Sequence, residues 1–137
     1  MRIIFLDFDG VLVNRQSVRE RSGNHAAADA RCVSALNWIT DETDARIVVS
    51  STWRWEFKNP DLRGLLRQWG VTGVMIDSTP IKPYTGTRGG EIQLWLTAYQ
   101  RDRTDVESFV ILDDDSDMGE LTTHLIKTEF EPAVCGR

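Results

Sequence analysis

Hydrophobic positions fall along the chain in blocks of two kinds. Some are continuous: Ile3-Ile4-Phe5-Leu6, Ile47-Val48-Val49 and Phe109-Val110-Ile111-Leu112. Short apolar runs bounded by polar residues predict strands buried on both faces, as in a parallel sheet. Others recur at helical spacing. Cys32, Val33, Leu36 and Ile39, widened by Ala35 and Trp38, predict a helix over residues 26–42, with Ser22 or Asn24 as its cap. Leu62, Leu65, Leu66 and Trp69 predict a second helix over 61–69, ended by Gly70. Ile92, Trp95, Leu96 and Tyr99 predict a third over 91–101. Residues 71–76 predict a further strand, and Leu125 to Thr128 a last one. The stretches 11–25 and 77–90 read as polar loops. Strands alternating with helices predict an α/β fold of Rossmann-like form, with a mainly parallel sheet of about five strands between helices.

Composition narrows this reading. The 137 residues, with 41% hydrophobic and 27% charged, suit one soluble globular domain spanning 1–137. The net charge of −5 argues against a broad basic surface for duplex nucleic acid. Cys32 and Cys135 lie far apart without metal-type spacing and are expected as reduced thiols in a cytoplasmic protein. The amino terminus enters a strand directly, so no signal peptide is expected. No apolar run approaches the ~20 residues needed to cross a bilayer, so no membrane partner is expected.

The chemistry lies where two strands end. The first runs into Asp7-Phe8-Asp9-Gly10, the later one into Asp113-Asp114-Asp115-Ser116-Asp117. Ligands of open α/β sheets bind beyond the carboxyl ends of strands. Carboxylates converging there repel one another unless a cation intervenes, and an all-oxygen set without Cys or His selects a hard ion such as Mg²⁺. A strand ending in a solvated aspartate turn, or a helix cap, is the plainer explanation for either cluster alone. Together they favour a site.

Asp7-Phe8-Asp9-Gly10-Val11-Leu12 after an apolar strand resembles motif I of the haloacid dehalogenase (HAD) superfamily, most of whose members are Mg²⁺-dependent phosphohydrolases. The strand closing on Ser50, with Ser51 beside it, resembles motif II, and the aspartates from Asp113 resemble motif IV, either as Asp113-Asp114 or as Asp113 with Asp117. The usual motif III lysine is replaced: Arg88 is the first choice for that cation and Lys82 the competitor. The segment after motif I and the one after motif II are both too short for a cap domain, so the chain resembles the capless class. The strings Val49-Ser50-Ser51-Thr52-Trp53-Arg54 and Arg88-Gly89-Gly90-Glu91-Ile92 are similar to small capless HAD proteins of phages and bacteria found near nucleic-acid repair domains.

The resemblance implies a phosphatase. Asp7 would be nucleophile and Mg²⁺ ligand, and Asp9 the general acid and base, its carbonyl a further ligand. Asp113, with Asp114 at or near the ion, would complete the metal set. Ser50 and Arg88 would meet the phosphoryl group, with Gly10, Ser51 and Arg54 as further substrate contacts. Arg15, Arg19 and Arg21 could attract phosphate or merely be solvated. His25 and His124 are expected to be ordinary histidines. Asp9 favours phosphoester over carbon–halogen chemistry, because dehalogenases lack this acid. The expected substrate is a nucleotide or a nucleic-acid end. Two alternatives remain open: a small-metabolite phosphatase, and a non-catalytic receiver-like or relic domain. Against the last, receivers lack the DxDG pattern. The oligomeric state is not legible.

Overall fold

The computed structural model describes residues 1–14, 17, 28–81, 86–102 and 106–128. Strands β1 (Arg2–Leu6), β2 (Arg46–Val49), β3 (Met75–Ser78), β4 (Ser108–Asp113) and β5 (Leu125–Lys127) form one sheet. Its order is β3-β2-β1-β4-β5 and every pair is parallel. Helices α1 (Ala30–Thr43), α2 (Asn59–Gln68) and α3 (Arg88–Asp102) connect the strands, and two 3₁₀ turns follow β2 and β4 at Thr52–Trp55 and Gly119–His124. This is the α/β, Rossmann-like architecture the hydrophobic pattern predicts.

Alternation along β1 explains the layering. Ile4 and Leu6 join Ile47, Val49 and Leu112 in a core against Val33 and Leu36 of α1 and Leu62 and Leu66 of α2. Ile3 and Phe5 join Val48 and Ile111 in a second core against Ile92, Trp95 and Leu96 of α3. Successive side chains of a strand point to opposite faces, so the continuous apolar runs feed two cores at once.

Three expectations need correction. The cap of α1 is Asp29, whose side chain accepts from the Arg31 N–H, while Ser22 and Asn24 lie outside the described residues. Strand β3 begins later than residue 71 and includes Asp77 and Ser78. Its polar residues are held by neighbours, since the Trp95 indole donates to Asp77 at 2.7 Å and the Ser78 hydroxyl to Asn59 at 2.6 Å. Val11, Leu12 and Val13, placed in a polar loop by the sequence reading, are buried. They turn back under the end of β1, with the Leu12 and Val13 N–H groups both donating to the Phe8 carbonyl. In addition, Cys32 is disulfide-bonded where the sequence suggests a reduced thiol; its partner lies outside the described residues. No helix among the described residues is long and apolar enough to cross a membrane.

Two helical glycines differ in how much room surrounds them, and Gly89 shows how tightly α3 is seated. A Cβ on Gly89 would overlap the backbone of Met118, whereas one on Gly64, in the exposed middle of α2, would meet nothing. Gly89→Ala should therefore destabilise by about 1–3 kcal/mol through overpacking. Gly64→Ala should stabilise by about 0.5–1 kcal/mol through lost backbone entropy of the unfolded chain. Denaturant midpoints of the two variants check both signs.

Candidate active site

The parallel register assembles the site. Leu6 is paired with Val49 on one side and with Leu112 on the other. One residue further the ladder continues: the Asp7 N–H donates to the Leu112 carbonyl at 3.0 Å, Ser50 to Leu6 at 2.9 Å and Thr79 to Val49 at 2.9 Å. Asp113, Asp7, Ser50 and Thr79 thus stand abreast at the carboxyl ends of adjacent strands. Asp7 is two residues past Phe5, Ser50 two past Val48 and Asp113 two past Ile111. All three predecessors belong to the core beneath α3, so by alternation the polar trio faces the same way. There the first residue of α3, Arg88, meets it. Its Nη1 lies 2.8 Å from Asp113 Oδ2 and 3.4 Å from Asp7 Oδ1.

Electrostatics at this row are severe. Asp7 is 4% exposed and Asp113 is fully buried. Burial, then the charge of Asp113, pushes Asp7 up to about 8, although Arg88 opposes this. Burial also raises Asp113, again against Arg88. Burial works against the charge of Arg88, but Asp7 and Asp113 outweigh it and hold the guanidinium charged. Carboxylate oxygens of Asp7, Asp113 and Asp114 lie within 4.8 Å of one another. One arginine facing three carboxylates leaves an excess of negative charge that a divalent cation would neutralise, and an all-oxygen donor set suits Mg²⁺. The donor set therefore fits the ion. Gly10 makes the convergence possible. Its φ of +81° favours glycine, and a Cβ there would overlap the Asp114 side chain.

The hydroxyls of Ser50 and Thr79 are buried and have no hydrogen-bond partner. Leaving a buried hydroxyl unpaired is costly. That of Ser50 stands beside Asp7, where an oxygen brought by an anionic substrate would satisfy it.

Several expected contacts sit elsewhere. Arg54 is buried, and its five N–H groups are all used. Nε donates to Thr79 O, Nη1 to the carbonyls of Ser50 and Ser51, and Nη2 to Pro80 O and to Glu91 Oε1 at 2.6 Å. It ties the loops after β2 and β3 to α3 and has no donor left for substrate. Burial lowers its pKa, with Glu91 opposing. Ser51 is buried, and its hydroxyl oxygen caps the 3₁₀ turn by accepting from the Trp53 N–H. The Gly10 N–H donates to Val13 O and its carbonyl accepts from the Thr128 hydroxyl, so Gly10 shapes the site instead of offering a free amide. Asp114 joins the carboxylate cluster, whereas Asp117 accepts from the Arg88 backbone N–H at the start of α3. His124 stacks on Phe109 at 4.1 Å. Lys82, Arg15, Arg19, Arg21 and His25 lie outside the described residues.

Trp53, Glu91 and Thr79 carry no signal of their place at the site in the sequence. The Trp53 indole donates to Asp9 Oδ2 at 3.1 Å. A tryptophan three residues after a strand-end serine carries no signal of that contact. Glu91 read only as the start of a helix. Thr79 was hidden because β3 extends further than its apolar residues.

Over residues 3–134 the chain matches the family described as the HAD domain in Swiss Army Knife RNA repair proteins. Comparison with curated proteins and with solved structures gave no match.

The raised pKa of Asp7 has a stability consequence of definite sign. Between the ordinary 3.8 and about 8, the folded protein keeps a proton that the unfolded chain releases. Stability from this group is complete below that window and is lost as pH rises through it. In EDTA, the melting temperature of the wild type should fall more steeply over this range than that of Asp7→Asn. Added Mg²⁺ at the alkaline end should stabilise the wild type more than the variant. Thermal melts across pH, with and without Mg²⁺, check both.

Proposed function

The chain belongs to the family of HAD domains of Swiss Army Knife RNA repair proteins, and on that premise we propose that it is a Mg²⁺-dependent phosphomonoester hydrolase. It works through a phospho-aspartyl intermediate on the phosphorylated end of an RNA or on a nucleotide. The observation that carries this reading is the in-register row of Asp113, Asp7 and Ser50 with Arg88 facing it.

The geometry supports the following roles. An Asp7 carboxylate oxygen attacks phosphorus, and the bond from phosphorus to the leaving oxygen breaks. Asp9, two residues on and half-buried, protonates that oxygen. It then takes a proton from the water that hydrolyses the phospho-aspartate, releasing phosphate and restoring Asp7. Arg88 and the unpaired Ser50 hydroxyl meet charge on the equatorial oxygens. Asp7, Asp113 and the Asp9 carbonyl would hold Mg²⁺, with Asp114 at its side. Bound there, the ion neutralises the carboxylates and draws charge from the phosphoryl group.

The substrate class rests on the family's description and on access. Between β2 and β3 there is only a 3₁₀ turn and α2, and the segment joining β1 to α1 is too short for a cap domain. An uncapped cleft admits a polymer end.

The test is phosphate release from p-nitrophenyl phosphate, small sugar phosphates, nucleotides, and 3′- or 5′-phosphorylated oligoribonucleotides, each with Mg²⁺ or EDTA. Release should require Mg²⁺ and favour oligonucleotide ends in kcat/KM. Asp7→Asn should abolish it. Arg88→Ala should lower kcat by about 10²–10³-fold, as expected for loss of one preorganised charge donor. Turnover surviving in Asp7→Asn would remove Asp7 as nucleophile, and a preference for sugar phosphates would move the substrate to small metabolites.

A further inference from the structure

We propose that Trp53 is a positioning residue for the general acid, an assignment that rests on the hydrolase reading above. Its indole Nε1 lies 3.1 Å from Asp9 Oδ2. Among the described residues it supplies the hydrogen bond that holds the Asp9 side chain.

The indole is itself firmly held. Its ring meets Phe8 and Trp69 edge-on, both at 5.5 Å, and Phe57 at 6.1 Å. Phe8 in turn packs edge-on to Trp69 at 5.2 Å. The backbone below is equally constrained: Ser51 caps the turn through the Trp53 N–H, and the next residue is the fully bonded Arg54. Edge-to-face packing of this kind adds specificity of orientation to simple burial. The N–H therefore points from a fixed place.

The donor's chemistry gives the contact a directional effect. An indole nitrogen can only donate. A proton on Oδ2 would weaken that oxygen as the indole's acceptor, so the contact favours placing the acidic proton of Asp9 on Oδ1. The terminal torsion of aspartate is broad and roughly two-fold, and without the indole the two oxygens interchange. During bond breaking, the Oδ1 proton passes to the leaving oxygen while the P–O electron pair stays on that oxygen. In the second half-reaction, Asp9 recovers a proton from the attacking water. Trp53 touches neither phosphorus nor leaving group, and acts by fixing which carboxyl oxygen faces them.

Such a role has a signature that general loosening of the fold lacks. Ribose and other alkyl leaving groups need protonation as the bond breaks, whereas p-nitrophenolate needs little. Correctly placed acid catalysis contributes about 10²–10⁴-fold. Trp53→Phe, which keeps a ring in the cluster, should therefore lower kcat/KM, which reports the step that expels the leaving group, on a 3′-phosphorylated oligonucleotide and on glycerol phosphate by about 10–100-fold, a loss smaller than that of the acid itself. Its kcat/KM on p-nitrophenyl phosphate should stay within about three-fold, because protonating that leaving group contributes little. In an Asp9→Asn background, Trp53→Phe should cause no further loss, because the group it positions is gone. Trp53→benzothienylalanine replaces the N–H by sulfur at nearly constant shape. It provides the same comparison if Trp53→Phe fails to fold. Equal losses on both leaving-group classes, or no loss on either, in a wild type that is active would overturn this role and leave the hydrolase reading intact. An inactive wild type on all substrates would overturn both.

Discussion

Carboxylates buried side by side repel each other, and the architecture of this protein is arranged around that repulsion. Asp7 and Asp113 are brought abreast by backbone pairing that also builds the centre of the sheet, so the fold cannot form without crowding them. Each nearby device eases the conflict or uses it. Arg88 supplies a fixed positive charge from the first residue of α3. Gly10, lacking a side chain, lets Asp114 join the cluster. What remains is a cluster whose excess of negative charge would favour a divalent cation. On the proposed reading, the same imbalance would repel a phosphate ester unless the cation were present, and metal and substrate would then be interdependent.

Arg54 shows a different use of the same residue type. It is sealed from water among four backbone carbonyls and Glu91. Removing one partner of a buried ion pair costs about 3–5 kcal/mol in other proteins, because the remaining charge is left uncompensated. Here the guanidinium also fixes the loops carrying Ser50 and Thr79 against the helix carrying Arg88. A lysine offers three donors in place of five and cannot match this pattern. Two arginines close in sequence character thus play opposite parts. One faces the site and the other is part of the frame.

The sequence revealed the strands, the helices and the two acidic strand ends because all are local properties. Apolar runs and helical spacing are set by burial, and Asp7 and Asp113 follow such runs directly, with Asp9 two residues beyond Asp7. Contacts made across the chain were not legible. Arg54 beside a strand-end serine looks like an anion binder, and only the fold reveals that carbonyls surround it. Asp114 and Asp117 are equivalent in the sequence, and the turn after β4 separates them, sending one to the carboxylates and the other to the start of α3. Strand β3 ran past its apolar residues because Trp95 and Asn59 satisfy its polar ones, a partnership that no local pattern encodes.

The placement of the row within the sheet bears on how the molecule opens. Asp113 ends β4, and Asp7 and Ser50 directly follow β1 and β2; these are the three inner strands, while β3 and β5 form the margins. Fluctuations that detach part of a protein begin where backbone bonds face water and contacts are few. Amides of the margins should therefore exchange with solvent long before those of β1. The three residues at the chemical centre would keep their spacing through every opening short of global unfolding, and the site would be among the last features of the protein to be lost.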